Sequence, residues 1–307
     1  MIPSVSVVTP IKKFQKHINH CINSVFSQNY SGDIYHYVIV DEINTFDNFK
    51  IVNPNLIIRK NNGLGISAAR NTALLISNSD FIFFLDSDDI WPIDYIKNII
   101  NIYTSSPEIA CISSSGYFFR GNQFINKLVV PFLSDGYISP FDVAWNAIGC
   151  PSGFSYRYTF KSKSCFFNTS IDSCEDFLFY LELLASDIGY FYKTNITYFL
   201  YQSSDFQLSN NQNNLSIEKT LQIFKELLLY GSLKHLNIYM KFIVYFSVLQ
   251  RTSSLFKRSN PMPYFFYSFI VIVLRPKALI SHFTRRFVKN SKLNHCKSTI
   301  EKFARYN

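Results

Sequence analysis

Apolar residues follow two different rhythms in the first half of the chain. Short, largely apolar runs have the length and composition of strands that are buried on both faces of a sheet. These runs lie at residues 4–9, 35–40, 56–58 and 81–85. The intervening stretches repeat apolar residues at helical spacing, most clearly between Ile18 and Val25. Strands that alternate with helices predict an α/β fold, with a mostly parallel sheet and helices on both faces.

The pattern loosens after Pro107. Residues 109–113 predict a strand, and residues 117–130 predict a hairpin. Residues 175–185 predict a helix. The apolar residues expected on its buried face are Phe177, Leu178, Leu181 and Leu184.

A polar, Asn-rich stretch at residues 203–215 is the best candidate linker. Beyond it, apolar segments predict helices that are interrupted at Pro261, Pro263 and Pro276. We therefore expect a sheet-containing domain over residues 1–205 and a smaller α-helical region over residues 206–307.

Three carboxylates directly follow the buried strand at residues 81–85: Asp86, Asp88 and Asp89. Clustered acids at the end of an apolar strand are costly unless a cation lies beside them. Carboxylate oxygens suit Mg²⁺ or Mn²⁺, which also bind substrate phosphates, and open α/β sheets bind ligands beyond the carboxyl ends of their strands. The alternative is an Asp-rich turn that caps the next helix.

Other polar residues belong to the same predicted edge. Asp41 ends the second strand, where it could accept a hydrogen bond from a nucleotide, although a turn-forming Asp would look the same. Arg70 follows a glycine-containing loop at residues 61–65 and could reach a diphosphate or the carboxylates, although an Arg on a helix is more often a solvated surface residue. Glu175 and Asp176 begin a predicted helix. This acidic pair could supply a general base, or it could only interact favourably with the helix dipole.

The order of these segments resembles inverting glycosyltransferase family 2, whose members have the GT-A fold. The resemblance rests on SVVTP, VIVDE, NNGLGISAARN, FFLDSDD and CEDFLFYLEL, and it covers about residues 2–201. It implies transfer of a sugar from a nucleotide-diphosphate donor, with a UDP-sugar expected and Mn²⁺ or Mg²⁺ as cofactor, to an acceptor hydroxyl. The implied acceptor is a glycan or polyprenyl-linked molecule in bacterial surface polysaccharide synthesis, of the O-antigen or capsule type.

The resemblance also implies residue roles. Thr9 and Asp41 would meet the base and ribose, Arg70 would contact the nucleotide, and Asp86 would face the ribose. Asp88 would ligate the metal. Asp176 would be the catalytic base, with Glu175 beside it. Such a base takes the proton of the acceptor hydroxyl as it attacks C1 from the face opposite the diphosphate, which inverts the anomeric configuration.

Three positions depart from the family pattern. Ile11-Lys12 follow Pro10 where Tyr-Asn is frequent, and Glu42 rather than Asp follows Asp41. The frequent Tyr-Arg-x-His near the domain's end is represented at best by residues 199–202, which read FLYQ. The last departure removes one expected diphosphate contact.

The composition constrains the kind of metal site and the cellular compartment. The six cysteines form no CxxC pair and no histidine completes a metal-ligand spacing, which argues against zinc and against a disulfide scaffold. No basic segment precedes a signal-length apolar run at the N-terminus. We expect a cytoplasmic protein.

The C-terminal region is strongly basic and aromatic. From Arg251 onward, twelve Lys and Arg residues face one acidic residue, Glu301. Two apolar runs, at residues 236–249 and 264–274, are shorter than the roughly 20 residues that span a bilayer. This region predicts peripheral binding to the inner face of an anionic membrane. The alternative is a helical subdomain that packs on the catalytic domain or on a second subunit in an oligomer. Nucleic-acid binding is disfavoured, because a phosphate-binding surface does not need such apolar runs.

Two other functions compete with sugar transfer. An apolar strand ending in Asp86-Ser87-Asp88 also fits the nucleophile motif of haloacid-dehalogenase phosphatases, but that hypothesis leaves Asp41, Arg70 and Glu175 without a role. A non-catalytic membrane-surface protein on a degenerate transferase fold is the second alternative.

Overall fold

The computed structural model describes residues 1–14, 18–42, 49, 51–120, 123–130, 135–144, 148–159, 161–171, 173–202 and 214–255. The strands are β1 Val5–Ile11, β2 Ile34–Val40, β3 Leu56–Lys60, β4 Phe81–Phe84, β5 Ile109–Arg120, β6 Gln123–Val130, β7 Gly136–Ile138, β8 Phe154–Arg157 and β9 Tyr190–Gln202. The α-helices are α1 Ile18–Phe26, α2 Gly65–Ile76, α3 Tyr95–Ser105, α4 Pro140–Ala144, α5 Glu175–Ala185, α6 Asn214–Leu229 and α7 Ile238–Leu255.

The strands form one sheet in the order β3-β2-β1-β4-β8-β5-β9-β7, with β6 paired to β5. The first four strands are all parallel, as the alternation of strands and helices predicted. Strand β8 then lies antiparallel between β4 and β5. Strand β9 is parallel to β5, and β7 is antiparallel to β9. The predicted hairpin is confirmed, since β6 pairs antiparallel with β5.

The central strands are buried on both faces, which explains why their sequences are apolar without interruption. On β4, Ile82 and Phe84 face one hydrophobic cluster, which includes apolar residues of α2 and α5. Phe81 and Phe83 face a second cluster, which includes residues of α1 and α3. This alternation follows from the two-residue period of a strand. Both faces of β4 therefore carry helices, and the expected fold class is confirmed.

Helix α5 has the bounds that its sequence predicted. Its buried surface is wider than expected, because Phe179, Tyr180 and Leu183 are also buried. Leu184, which we predicted on the buried face, is only partly buried. The helix is covered by the sheet on one side and by α4 and the later helices on others, so a single apolar stripe does not describe it.

Helices α6 and α7 share the hydrophobic cluster of α5. Phe224 on α6 stacks on Phe177 with ring centroids 6.0 Å apart, and Ser247 Oγ on α7 donates to the carbonyl oxygen of Ala144 at 3.0 Å. Among the described helices, none combines the length and apolarity needed to cross a bilayer. The predicted linker lies outside the described residues except for Asn214 and Leu215, which begin α6. The prolines at 261, 263 and 276, the apolar run at 264–274 and most of the basic region also lie outside them.

Candidate active site

The acidic turn after β4 is held by contacts from three parts of the chain. The backbone N–H of Asp86 donates to Ser152 Oγ at 3.0 Å, and the N–H of Asp89 donates to the carbonyl oxygen of Asp86 at 3.0 Å. Ile90 then pairs with Leu200 near the end of β9 through two backbone hydrogen bonds. These bonds place the turn at the carboxyl edge of the parallel strands, where the sequence predicted a ligand site.

Arg70 joins this turn to the start of helix α5. Its Nη2 donates to Oδ1 of Asp86 at 3.0 Å, and its Nη1 donates to Oε1 of Glu175 at 3.2 Å. The Arg70 side chain is 1% exposed, whereas Asp86 and Glu175 retain 26% and 16% of their side-chain surface. Both carboxylates are therefore partly buried, while the guanidinium between them is almost completely covered.

The electrostatics of this cluster follow from burial and from its excess of negative charge. Burial acts to lower the pKa of Arg70, but the charges of Asp86 and Glu175 outweigh it and raise that pKa, so Arg70 stays cationic. Burial, and then the charge of Asp176, raises the pKa of Glu175 above its ordinary value, although Arg70 opposes both effects. Glu175 is thus a carboxyl group whose ionised form depends on the neighbouring guanidinium.

The base candidate, Asp176, occupies the first turn of α5. Its Oδ1 accepts a 2.7 Å hydrogen bond from the backbone N–H of Phe177. Cys174, the residue before α5, has a left-handed backbone with φ of 61°. This conformation is costly for a residue with a side chain, and such strain is concentrated at functional sites. Asp176 lies near enough to Arg70 and Glu175 for its charge to raise the pKa of both groups.

The thiol of Cys150 lies within the electrostatic influence of both acidic groups, the turn after β4 and the start of α5. Burial raises the pKa of this thiol well above its ordinary value, and the charges of Asp89, Asp86 and Asp176 add to that effect. Acids from the β4 turn and from the α5 terminus therefore act on one partly buried thiol. Cys150 precedes the Pro151–Gly153 turn that carries Ser152.

Asp41 lies at the same edge, after β2. Its Oδ1 accepts a 2.6 Å hydrogen bond from Nδ2 of Asn61. Asn61 is also the organiser of the glycine-containing loop, since its Nδ2 donates to the carbonyl oxygen of Gly65 at 3.1 Å and its Oδ1 accepts from the N–H of Gly63 at 3.1 Å. We did not assign Asn61 a role from the sequence, and its position directly after β3 was the available signal.

Thr9 differs from the other predicted site residues because its side chain is fully buried. Its Oγ1 lies 2.8 Å from Nε2 of His36 and 3.8 Å from Sγ of Cys21. Burial raises the pKa of the Cys21 thiol, the bond to Thr9 lowers it, and the charges of Asp89 and Asp88 raise it further. The Thr9 hydroxyl thus lies in the interior, underneath the acidic turn.

Asn71, the neighbour of Arg70, is a further residue that sequence reasoning missed. Its Nδ2 donates to the carbonyl oxygen of Phe167, and its Oδ1 accepts from the N–H of the same residue, both at 2.8 Å. The ring of Phe167 lies under the Arg70 guanidinium, with 5.1 Å between the Arg70 Cζ and the ring centroid. An Asn within a helix gives no sequence signal for such a contact.

The residues at the edge fit a divalent ion that is bound together with a diphosphate. Among the described residues, no group of three or more His, Cys, Asp and Glu side chains forms a metal cage. Mg²⁺ does not require one, because it usually binds one or two carboxylates, waters and substrate phosphates. Asp88 is partly accessible and carries a hard oxygen ligand in the turn after β4.

All three departures from the family pattern lie along this edge. The N–H of Asp41 donates to the carbonyl oxygen of Ile11 at 3.1 Å, and the N–H of Glu42 donates to that of Lys12 at 3.0 Å. Leu200, from the third departure, pairs with Ile90 beside the acidic turn. The unusual residues are therefore neighbours of the site.

The parallel half-sheet with its acidic edge belongs to the GT-A class of glycosyltransferases. The chain is a member of glycosyl transferase family 2, since the model of that family, "Glycosyl transferase family 2", matches residues 6–161. The resemblance inferred from the sequence is thereby confirmed, and the chain is a glycosyltransferase. The match assigns β4 and its acids to a transferase domain rather than to a haloacid-dehalogenase phosphatase.

The chain is similar to glycosyltransferases of two bacteria. The chain is 26% identical over 228 residues to TarP of Staphylococcus aureus (strain N315), a poly(ribitol-phosphate) beta-N-acetylglucosaminyltransferase, covering 70% of this chain and 67% of that protein. It is 28% identical over 195 residues to WfaP of Escherichia coli, a UDP-Glc:alpha-D-GlcNAc-diphosphoundecaprenol beta-1,3-glucosyltransferase, covering 60% and 71%. Residues 1–349 of S. aureus TarS, solved with UDP-GlcNAc, share the fold with a TM-score of 0.64 at 16% identity, covering 99% of this chain and 92% of that one.

Proposed function

We propose that the protein is a metal-dependent, inverting glycosyltransferase that uses a UDP-sugar. The acceptor is a hydroxyl of a glycan or polyprenyl-linked molecule in bacterial surface polysaccharide synthesis, in an O-antigen-like, capsular or teichoic-acid-like polymer. The observation that carries this proposal is the shared guanidinium of Arg70, which connects Asp86 at the donor edge to Glu175 beside the base candidate.

The proposed roles follow the geometry of the edge. Asp41 and Asp86 bind the nucleoside, and Asp88 would hold Mn²⁺ or Mg²⁺. Thr9 lies near the carboxyl end of β1, with its hydroxyl buried against His36. The ion would offset negative charge on the leaving diphosphate. Asp176 accepts the proton from the acceptor hydroxyl as its oxygen attacks C1. Attack from the face opposite the diphosphate inverts the anomeric configuration, with no covalent sugar–protein intermediate.

The names of the relatives support the substrate classes. WfaP transfers glucose from UDP-Glc to a diphosphoundecaprenol-linked sugar, and TarP modifies a poly(ribitol-phosphate). Both acceptors carry hydroxyl groups, and one of them is attached to a lipid through a diphosphate. We extend this class of acceptor to the present chain.

A screen of nucleotide sugars tests the proposal. UDP-glucose, UDP-GlcNAc and UDP-galactose are incubated with the protein and either Mn²⁺, Mg²⁺ or EDTA, and UDP release is measured. We expect one donor to be hydrolysed slowly, and EDTA to abolish the reaction. NMR of the first-formed sugar should show the anomer opposite to that of the donor. Absence of both binding and hydrolysis for every donor would instead support the non-catalytic hypothesis.

We also propose that residues 206–307 form a separate functional region that brings the site to a membrane surface. The basic residues after Arg251 complement anionic lipid. The start of α7 presents exposed apolar side chains, with Ile238, Tyr239 and Phe242 at 84%, 53% and 49% exposure. Aromatic and aliphatic residues beside basic ones are typical of helices that lie in the interface of a bilayer.

Charge reversal at Arg285, Arg286 and Lys289 tests the membrane contact. Each basic residue near an anionic surface contributes about 1 kcal/mol, so reversal of three charges should weaken flotation with anionic liposomes strongly. Activity on a soluble acceptor analogue should stay the same, and high salt should weaken flotation of the native protein. Equal flotation at low salt would favour packing of this region on a second subunit, which sedimentation would then detect.

A further inference from the structure

Two adjacent side chains of helix α2 connect the acidic turn after β4 to helix α5, which carries the base candidate Asp176. We propose that Arg70 and Asn71 act together as a positioning clamp that fixes the start of α5, and with it Asp176, relative to the acidic turn after β4. In this role Arg70 is a positioning residue rather than a contact to the nucleotide. The inference deepens the proposed function and rests on it for its kinetic readout.

The clamp holds α5 through two independent routes. Arg70 reaches it directly, through the ion pair between Nη1 and Glu175 at 3.2 Å. Asn71 reaches it indirectly, because its two 2.8 Å hydrogen bonds fix the backbone of Phe167. The Phe167 ring stacks on that of Phe179 in α5, with centroids 4.1 Å apart and planes 7° from parallel.

The other end of the clamp is the acidic turn. Arg70 Nη2 donates to Asp86 Oδ1 at 3.0 Å, while Ser152 holds the backbone N–H of the same residue. One planar guanidinium thus bonds a strand end and a helix start, and its fork fixes direction as well as distance. The stacked Phe167 ring beneath it limits rotation of the guanidinium.

The burial of the Arg70 side chain favours a positioning role over a direct contact with the diphosphate. The Arg70 side chain is 1% exposed, and both terminal nitrogens already donate to carboxylates. A phosphate would have to displace Asp86 or Glu175 to reach the guanidinium. The clamp instead acts through geometry, because a base displaced by about 1 Å loses rate by up to roughly 10²-fold.

Arg70→Lys and Asn71→Ala test the clamp, with Arg157→Lys as a matched control. Arg157 also lies over aromatic rings, at 5.1 Å from the centroid of Phe81 and 5.0 Å from that of Tyr103. It pairs with Phe81 at the start of β4, the edge opposite the acids. For each variant we measure the Kd of UDP with Mn²⁺ by calorimetry, the kcat for donor turnover, and the melting temperature.

We expect both clamp variants to lower kcat by about tenfold or more, since the base is misplaced. For Asn71→Ala the Kd of UDP should stay within about threefold of the native value, which corresponds to less than 1 kcal/mol. Arg157→Lys should lower the melting temperature without a change in kcat. A rise in the Kd of UDP for Arg70→Lys with unchanged kcat would overturn the clamp and restore the role of nucleotide contact. An unchanged kcat for Asn71→Ala would also overturn it.

Hydrogen exchange provides a readout that does not need activity. In the Asn71→Ala protein, amides of residues 173–178 should exchange at least several-fold faster than in the native protein, because opening of this turn becomes less costly. Unchanged exchange there would overturn the clamp. If the native protein turns over none of the donors, the proposed function fails, and exchange at residues 173–178 still decides the clamp.

Discussion

The side-chain amide of Asn61 donates a 2.6 Å hydrogen bond from Nδ2 to Oδ1 of Asp41. The bond joins the residue after β3 to the residue after β2, so two neighbouring strand ends share one polar contact. The bond orients a partly accessible carboxylate. Asn61 thereby supports Asp41, which we propose to bind the donor nucleoside.

Asn61→Ala should weaken nucleotide binding. Loss of a hydrogen bond to a charged group costs about 1.5–3 kcal/mol, so the Kd of UDP should rise by roughly tenfold or more. The adjacent Asn62 is exposed and serves as the control, since Asn62→Ala leaves the bond to Asp41 intact. Calorimetry with UDP and Mn²⁺ measures both variants. Equal affinity of the Asn61→Ala and native proteins would contradict a donor role for Asp41.

Asp88→Ala should abolish metal-dependent nucleotide binding while the protein stays folded. Asp88 is the carboxylate proposed to ligate the ion, and Mg²⁺ held by so few protein ligands depends on each of them. Binding of UDP should become insensitive to Mn²⁺ and EDTA. The exposed Asp33 lies before β2, far from the acids, and Asp33→Ala should retain the metal effect. A preserved metal effect in Asp88→Ala would rule out this residue as the ligand.

Asp176→Asn should separate donor binding from turnover. The amide keeps the size of the carboxylate and can still accept from the N–H of Phe177, but it cannot take a proton. We expect kcat to fall by roughly 10²-fold or more with the Kd of UDP little changed. Glu175→Gln is the comparison variant. If Asp176→Asn transferred sugar at the native rate, Glu175 would be the candidate for the catalytic base.

His36 should make the free energy of unfolding sensitive to acid. Burial lowers its pKa from 6.5 to about 3, so between these pH values the unfolded chain binds a proton that the folded chain does not. The contribution of neutral His36 to the free energy of unfolding is therefore fully present above about pH 6.5. It is lost as the pH falls towards 3, by at most about 1.4 kcal/mol per pH unit. Urea unfolding at pH 7, 6 and 5 measures this slope. In His36→Gln the slope over this range should be smaller, and an equal slope would assign it to other groups.

Gly153→Ala should disturb the site through packing. An added Cβ would lie 2.7 Å from Cε1 of Phe199 and 2.9 Å from the backbone oxygen of Ser114. Such crowding typically costs 1–3 kcal/mol, so the unfolding free energy should fall by about that amount. Turnover should fall as well, because the neighbouring Ser152 holds the N–H of Asp86. Adding Phe199→Leu should restore part of the stability, and no gain would show that Ser114 is the obstacle.

The local elements of the first half could be predicted because their signals are local. Strand β4 is an uninterrupted apolar run, since both of its faces are covered by helices, and α5 begins and ends at the predicted residues. The acids after β4 and Asp41 after β2 could be assigned to one edge because parallel strands end on the same side. The basic character of the C-terminal region is likewise a property of the sequence.

The contacts that assemble the site required the tertiary structure. The strand order places β8 between β4 and β5, and a sequence pattern carries no information on such antiparallel insertion. Thr9 belongs to a strand that is buried along its whole length, so its hydroxyl lies against His36 in the interior. Arg70 and Glu175 are separated by 105 residues. Their ion pair forms only because the crossover connections bring α2 and α5 to the same face of the sheet, which periodicity within either helix cannot specify.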